Sequence, residues 1–134
     1  MPRINKHLFF LQLSAVSGIL AVILGAFGAH KLKEIISAED IAIYETGIRY
    51  EFYHTFALLA VGILAYLKPS SLLNKSGYAF SIGILLFSGS LYGLSLRSVS
   101  EVNLNWLGPV TPIGGLLLIL GWLLLLMSLK HFKS

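Results

Sequence analysis

The sequence contains no cysteine and little charge, and both absences limit what the protein can be. Without cysteine there are no disulfides and no thiolate metal ligands. Only 12% of the 134 residues are charged, whereas 56% are hydrophobic, and the mean hydropathy is +0.80. A soluble domain carries about 25% charged residues. The composition therefore indicates that the lipid bilayer is the solvent.

The few charges are mostly basic, but they do not form a basic stripe. Ten Lys and Arg residues give a net charge of +4, and they occur singly or in pairs beside apolar runs. Basic residues that flank membrane spans have this distribution, whereas nucleic-acid-binding proteins cluster them on one face. We therefore expect membrane lipids, and no nucleic acid, among the partners.

Four apolar segments are long enough, or nearly so, to cross a hydrocarbon core of about 30 Å as helices. They predict spans over residues 8–29, 48–67, 77–97 and 109–129. The predicted fold is an all-α integral membrane four-helix bundle, with residues 1–134 forming one domain. A cleaved signal peptide is the alternative for the first segment, but the uncharged run is longer than the apolar region of such a peptide, which has about 7–15 residues.

An amphipathic helical segment over residues 38–51 leads into the second span. Ser37-Ala38-Glu39-Asp40 resembles a capping box, which marks the start of a helix. Apolar residues then recur at spacings of three and four, and Glu45 and Arg49 lie four residues apart on another face. The uncharged stretch over residues 52–67 is short for a span, so we expect the second span to include part of the charged segment.

Proline and serine mark the connections between the later spans. The stretch LKPSSLLNKSG, residues 67–77, is typical of a tight loop between the second and third spans. Pro109 and Pro112 suit the first turn of the fourth helix, where a missing N–H costs least.

The basic residues also predict an orientation. Four spans place both termini and the middle connection on one side of the membrane. That side carries six basic residues and the other carries four: Arg3, Lys6, Lys68, Lys75, Lys130 and Lys133 against Lys31, Lys33, Arg49 and Arg97. Because basic residues are enriched on the cytoplasmic side, we expect a protein of the cytoplasmic (inner) membrane with both termini in the cytoplasm.

Small residues predict where helices approach one another closely. They repeat every four positions along the first span and recur as GSLYG in the third. The candidate helix-packing residues are Gly18, Gly25, Gly28, Ser88, Gly89, Ser90, Gly93 and Gly114. We expect them to pack within one bundle, with a homo-oligomer interface as the alternative. The aromatic side chains of Tyr66, Tyr78, Trp106 and Trp122 are expected at the membrane interfaces.

The densest group of ionisable and polar residues lies around the start of the second span. It consists of His30, Glu45, Arg49, Tyr50, Glu51 and His54. Ionisable side chains at membrane depth cost about 2.5–3.5 kcal/mol on insertion scales, so they need partners or water. The group predicts either a hydrogen-bonded staple between the amphipathic segment and the first span, or a proton or ligand site at the outer end of the bundle.

Signatures of enzyme chemistry are missing from the sequence. The histidines and glutamates lack the HExxH spacing of a zinc site, and FSGSLYG is not the G-x-S-x-G elbow of a hydrolase. GPVTPIGG lacks the lysine of a phosphate-binding loop. We therefore predict no catalytic residues, no metal site, no cofactor and no enzymatic activity.

Four stretches, taken in order, resemble one family of small membrane proteins. They are GAFGAH (25–30), YETGIRYEFYHTFALL (44–59), LFSGSLYGLSL (86–96) and GPVTPIGGLLLILGW (108–122). The family is domain of unknown function 423, which includes bacterial inner-membrane proteins and the animal transmembrane protein 256. The resemblance implies four membrane helices and no established biochemical role. The matching positions, which carry no assigned role, are Gly25, Gly28, His30, Glu45, Tyr50, His54, Ser88, Gly89, Ser90, Pro112 and Gly114.

Two functions remain open at this point. The first is a structural, interaction or lipid-binding bundle, with a second copy or another membrane protein as a further partner. The alternative is a small-solute or proton carrier or channel that uses the ionisable group at the outer end of the bundle.

Overall fold

A computed structural model of the protein describes residues 5–132, which form four long helices. The helices are α1 (Lys6–His30), α2 (Ala38–Leu67), α3 (Ser71–Ser95) and α4 (Val110–Leu129), and short 3-10 turns lie at Leu32–Glu34, Asn105–Leu107 and Lys130–Phe132. Each long helix is apolar and long enough to cross a membrane, and no strand occurs in residues 5–132. The predicted all-α, four-helix fold class is confirmed. Arg3 and Lys133, which were counted for the orientation, lie outside the described residues.

The helices run up and down, and each packs against the next along the chain. One end of the bundle, the termini end, holds the start of α1, the α2–α3 connection and the end of α4. There the ammonium group of Lys68 donates to the carbonyl oxygen of His131. The opposite end, the loop end, holds the α1–α2 and α3–α4 connections.

The start of α2 ties the two connections of the loop end together. The hydroxyl of Ser37 accepts a hydrogen bond from the Asp40 amide at 3.1 Å, which confirms this half of the predicted capping box. The Asp40 carboxylate turns to the other connection: it accepts from the Ser98 hydroxyl at 3.2 Å and lies 3.8 Å from Arg97 Nη2. From this cap α2 continues as one helix through the amphipathic segment and the second span.

The α2–α3 connection is shorter than the sequence predicted. The hydroxyl of Ser70 accepts from the Leu72 amide at 3.2 Å, so α3 begins at Ser71 and only residues 68–70 connect the two helices. The predicted loop over residues 67–77 is therefore wrong for most of its length. A serine that suggested a helix breaker in the sequence is the N-cap of the next helix. Pro112 lies in the first turn of α4, as predicted, and Pro109 is its N-cap residue.

Aromatic rings that pack over glycine backbones fill the interior of the bundle. Phe10 of α1 is fully buried, and a Cβ on Gly77 of α3 would lie only 2.5 Å from its ring. Phe80 of α3 packs in the same way over Gly121 of α4. Because lipid tails are as apolar as the core, such close packing, and not hydrophobic burial, holds membrane helices together.

Candidate functional site

A groove lies between α1 and α3, with α2 as its floor. Both helices pack along α2, but they contact each other mainly near the termini end, where the Phe10 ring lies 5.2 Å from that of Tyr78. Beyond this contact α1 and α3 separate, and the space between them has a volume of about 400 Å³. This volume lies within the range of small-molecule binding sites.

The groove is largely apolar and follows the helix axes. It is lined by Leu13, Val16, Ser17, Leu20, Leu24, Glu51, Leu58, Ser81, Ile84, Leu85, Gly89 and Tyr92. The lining residues extend from Leu13 to Leu24 on α1 and from Ser81 to Tyr92 on α3. Each stretch is about 16 Å long at a rise of 1.5 Å per residue. At the loop end, Leu24 and Tyr92 pack against a buried cluster of Leu32, Ile36, Ile41 and Tyr44.

Gly89 opens the α3 wall of the groove. A Cβ built on Gly89 would meet no atom of another helix within 4 Å, and the residue is exposed. The sequence had predicted that Gly89 packs closely within the bundle, and the structure shows no such contact with another helix of this chain. The spacing of four from Gly93 is present, but only Gly93 faces a neighbour, the side chain of Leu107.

Glu51 is the one carboxyl side chain that lines the groove, and its two oxygens differ. The side chain is only 5% exposed, and Oε1 accepts a hydrogen bond from the Tyr92 hydroxyl at 2.8 Å. Oε2 has no hydrogen-bond partner. Every other buried side-chain nitrogen or oxygen in residues 5–132 has one. A buried polar atom without a partner costs about 1–3 kcal/mol, and more if it is charged.

The other polar groups of the groove are satisfied within the protein. The Ser17 and Thr55 hydroxyls lie 2.6 Å apart, which joins α1 to α2. Ser81 donates to the Gly77 carbonyl of its own helix at 2.7 Å. Glu51 Oε2 therefore remains as the one buried polar side-chain atom of the groove without a hydrogen-bond partner.

His54, one turn along α2 from Glu51, faces α3 and α4. Its Nδ1 lies 2.7 Å from the Tyr50 carbonyl oxygen, and its Nε2 accepts from the indole N–H of Trp122 at 3.1 Å. Both ring nitrogens are thus occupied, and the ring packs against both Phe80 and Trp122, which also contact each other. Trp122 was expected at a membrane interface, but it lies in the middle of α4, where it fixes this histidine.

The remaining members of the predicted polar group lie on the surface. His30, Glu45, Arg49 and Tyr50 are exposed. Arg49 donates to Thr46 at 3.1 Å, and the only ion pair among residues 5–132 is Arg97–Asp40, so the Glu45–Arg49 spacing produces no ion pair. Glu45 and Arg49 line a separate hollow of about 210 Å³ between α1 and α2. The six residues predicted as one group therefore face several directions and do not form one site.

The predicted packing residues lie mostly at contacts within the chain. Ser88 donates to the Gly47 carbonyl of α2 at 2.7 Å, and the Ser90 hydroxyl lies 2.6 Å from that of Thr111 of α4. A Cβ on Gly114 would lie 2.8 Å from Phe87 Cα, and one on Gly28 would overlap the Tyr44 ring. Gly18 and Gly25 face α2 at ordinary contact distance, 3.7 Å from side chains of Thr55 and Ile48.

Sequence reasoning missed the partners that define the two buried polar sites. Tyr92 lies 41 residues from Glu51, and Trp122 lies 68 residues from His54. One available signal was that each partner is an aromatic residue with a polar atom, placed within an apolar span where that atom needs a hydrogen bond.

Comparison with known proteins decides the family. The family model described as "Protein of unknown function (DUF423)" matches residues 24–115. The chain belongs to this family. It is 42% identical to a UPF0382 membrane protein of Haemophilus influenzae over 93% of this chain and 94% of the relative. No solved structure matches.

Two further relatives extend the comparison to other bacteria. A UPF0382 membrane protein of Staphylococcus epidermidis is 40% identical over 93% of this chain and 98% of the relative. The UPF0382 inner membrane protein YgdD of Escherichia coli is 36% identical over 93% of this chain and 92% of the relative. With its four apolar helices, the chain is an integral membrane protein of a family without an established biochemical role. None of these names states an enzymatic activity.

Proposed function

We propose that the protein is a lipid-binding component of the cytoplasmic membrane, and that it holds one lipid chain in the groove between α1 and α3. The observation that carries the proposal is the groove itself: about 400 Å³, lined mainly by aliphatic side chains, with a wall opened by Gly89. In a bilayer its surroundings are acyl chains, so a lipid can enter sideways without crossing water.

The alternative, a carrier or channel that uses the ionisable group, is not favoured. Both nitrogens of His54 are held by protein atoms, and the groove reaches neither His30 nor Arg49. A proton or solute pathway needs side chains that meet water in sequence along a route. The proposal accordingly gives the protein no catalytic or transport step.

The orientation belongs to the same proposal. The termini end faces the cytoplasm and the loop end faces outward, as the basic residues favour. The E. coli relative is named an inner membrane protein, which supports the cytoplasmic membrane as the location. Lipid is the proposed partner. The native mass spectrometry described next also reports whether a second copy of the chain or another membrane protein accompanies it.

Native mass spectrometry of the protein released from its own membrane tests the proposal. We expect a retained lipid adduct on the wild-type chain. Gly89→Leu should fill the groove without disturbing the fold, because a Cβ there meets nothing within 4 Å, and should reduce the adduct by about tenfold.

The matched control is Ala26→Leu. Ala26 is exposed on α1 and does not line the groove. The substitution therefore adds the same leucine side chain to the lipid-facing surface outside the groove. This variant should retain the wild-type adduct. A wild-type chain without lipid, or a Gly89→Leu variant with the full wild-type adduct, would show that the groove is not a lipid site.

A further inference from the structure

The unpartnered oxygen of Glu51 gives the groove a specific chemical preference. Glu51 lines the groove, is almost completely buried, and presents one oxygen with a partner and one without. The hydrogen bond from Tyr92 to Oε1 restricts the rotation of the carboxyl group and so fixes the position of Oε2. A ligand that supplies a partner to Oε2 removes the cost of leaving it unsatisfied.

The Glu51 carboxyl group lies at the depth of the lipid tails and not at that of the head groups. α1 and α2 run antiparallel, with Gly18 beside Thr55 and Gly25 beside Ile48. Glu51 lies between these two levels, near the middle of both helices. A ligand polar group must therefore be drawn into the hydrocarbon region, where an uncharged group costs much less than an ion.

A hydroxyl is the smallest uncharged lipid group that fits in either protonation state of the carboxyl. It donates to a carboxylate oxygen, and its own oxygen accepts from a carboxylic acid. An ether or ketone only accepts, and a hydrocarbon does neither. We propose that the groove selects a lipid with a long single chain that carries a hydroxyl group, and that Glu51 Oε2 is the atom that recognises it. This inference rests on the proposed lipid-binding function and names its ligand class.

Paired probes of equal size test the selection. Hexadecanol and heptadecane have the same number of heavy atoms and differ by a hydroxyl in place of a methyl group. Each radiolabelled probe is incubated with the full-length protein in detergent micelles, and the bound fraction is measured after gel filtration. We expect hexadecanol to bind about tenfold more tightly than heptadecane, as one hydrogen bond to a carboxyl group predicts.

Variants separate recognition from folding. Glu51→Met should reduce hexadecanol binding to the level of heptadecane while heptadecane binding is unchanged, and the latter shows that the groove has kept its shape. Tyr92→Phe, which removes the positioning hydrogen bond to Oε1, should reduce the preference to an intermediate value. Gly89→Leu should reduce the binding of both probes.

The outcomes distinguish the two proposals. Equal binding of both probes to the wild-type chain, with loss of both in Gly89→Leu, would overturn the hydroxyl preference and leave the lipid groove intact. Binding of neither probe, or binding unaffected by Gly89→Leu, would overturn both. Tighter binding of hexadecylamine than of hexadecanol would replace the hydroxyl with a cationic group and overturn the inference as stated.

Discussion

Trp122 donates its indole hydrogen to Nε2 of His54 across 3.1 Å, while Nδ1 of the same ring lies 2.7 Å from the Tyr50 carbonyl oxygen. Because Nε2 accepts, the ring proton must be on Nδ1, where it is donated to the carbonyl. The geometry therefore assigns His54 as the neutral Nδ1–H tautomer. The ring is a fixed structural connection between α2 and α4.

The first prediction concerns this tautomer. Nitrogen-15 NMR of the protein in micelles should show His54 as Nδ1-protonated at neutral pH. Trp122→Phe should lower the free energy of unfolding by about 0.5–1.5 kcal/mol, the range for one hydrogen bond. Trp106→Phe is the matched control, since Trp106 is exposed and should tolerate the change. An Nε2-protonated ring in the wild-type protein would contradict the assignment.

Two adjacent glycines give the second prediction. A Cβ on Gly114 would lie 2.8 Å from Phe87 Cα, so Gly114→Ala forces α3 and α4 apart and should destabilise the protein by about 1–3 kcal/mol. A Cβ on Gly115 would lie 3.7 Å from the Phe87 ring, which is ordinary contact. Gly115→Ala should therefore be neutral or slightly stabilising. Thermal unfolding in the same detergent compares the two variants, and equal midpoints would contradict the close α3–α4 contact.

The tie between the two connections of the loop end gives the third prediction. Asp40→Ala removes the partner of Ser98 and Arg97, so the backbone around Arg97 should open more often. Trypsin should then cleave after Arg97 about fivefold faster, which corresponds to a loss of about 1 kcal/mol of local stability. Glu39→Ala removes a carboxylate from the same first turn but keeps the contacts of Asp40 with Ser98 and Arg97. This variant should be cleaved at the wild-type rate.

The absence of cysteine makes the fourth prediction simple to test. The variant Glu101→Cys, at the loop end, and the variant His131→Cys, at the termini end, would each contain a single thiol. In intact spheroplasts a membrane-impermeant maleimide should label Glu101→Cys, whereas His131→Cys should need permeabilisation. The reverse pattern would overturn the proposed orientation.

The sequence predicted the features that depend on local patterns. Hydropathy over about 20 residues identified the four helices, and the Ser37 cap followed from its spacing to Asp40. The spatial grouping of polar residues was not predictable in the same way. Glu51 and His54 are three residues apart on one helix, yet they meet Tyr92 of α3 and Trp122 of α4, respectively. Which helix faces which side chain depends on tertiary packing, and one sequence contains no direct record of it.

Gly89 shows the same limit for small residues. In the sequence its spacing from Gly93 is indistinguishable from a packing motif, because a missing side chain admits either a neighbouring helix or open space. Only the divergence of α1 from α3 determines that Gly89 faces open space.

Cross-helix hydrogen bonds restrict the motions available to the bundle. Each sequential helix pair has two such bonds: Ser17–Thr55 and Tyr44–Leu24 for α1 and α2, Ser88–Gly47 and Tyr92–Glu51 for α2 and α3, and Ser76–Gly121 and Ser90–Thr111 for α3 and α4. Sliding one helix along its neighbour must break both. No hydrogen bond joins α1 to α3 within residues 5–132, and their close contact at Phe10 and Gly77 lies near the termini end, so toward the loop end these two helices separate without breaking a cross-helix hydrogen bond. We therefore expect the softest motion of the bundle to be a lateral widening toward the loop end, which changes the width of the groove and leaves the axial register unchanged.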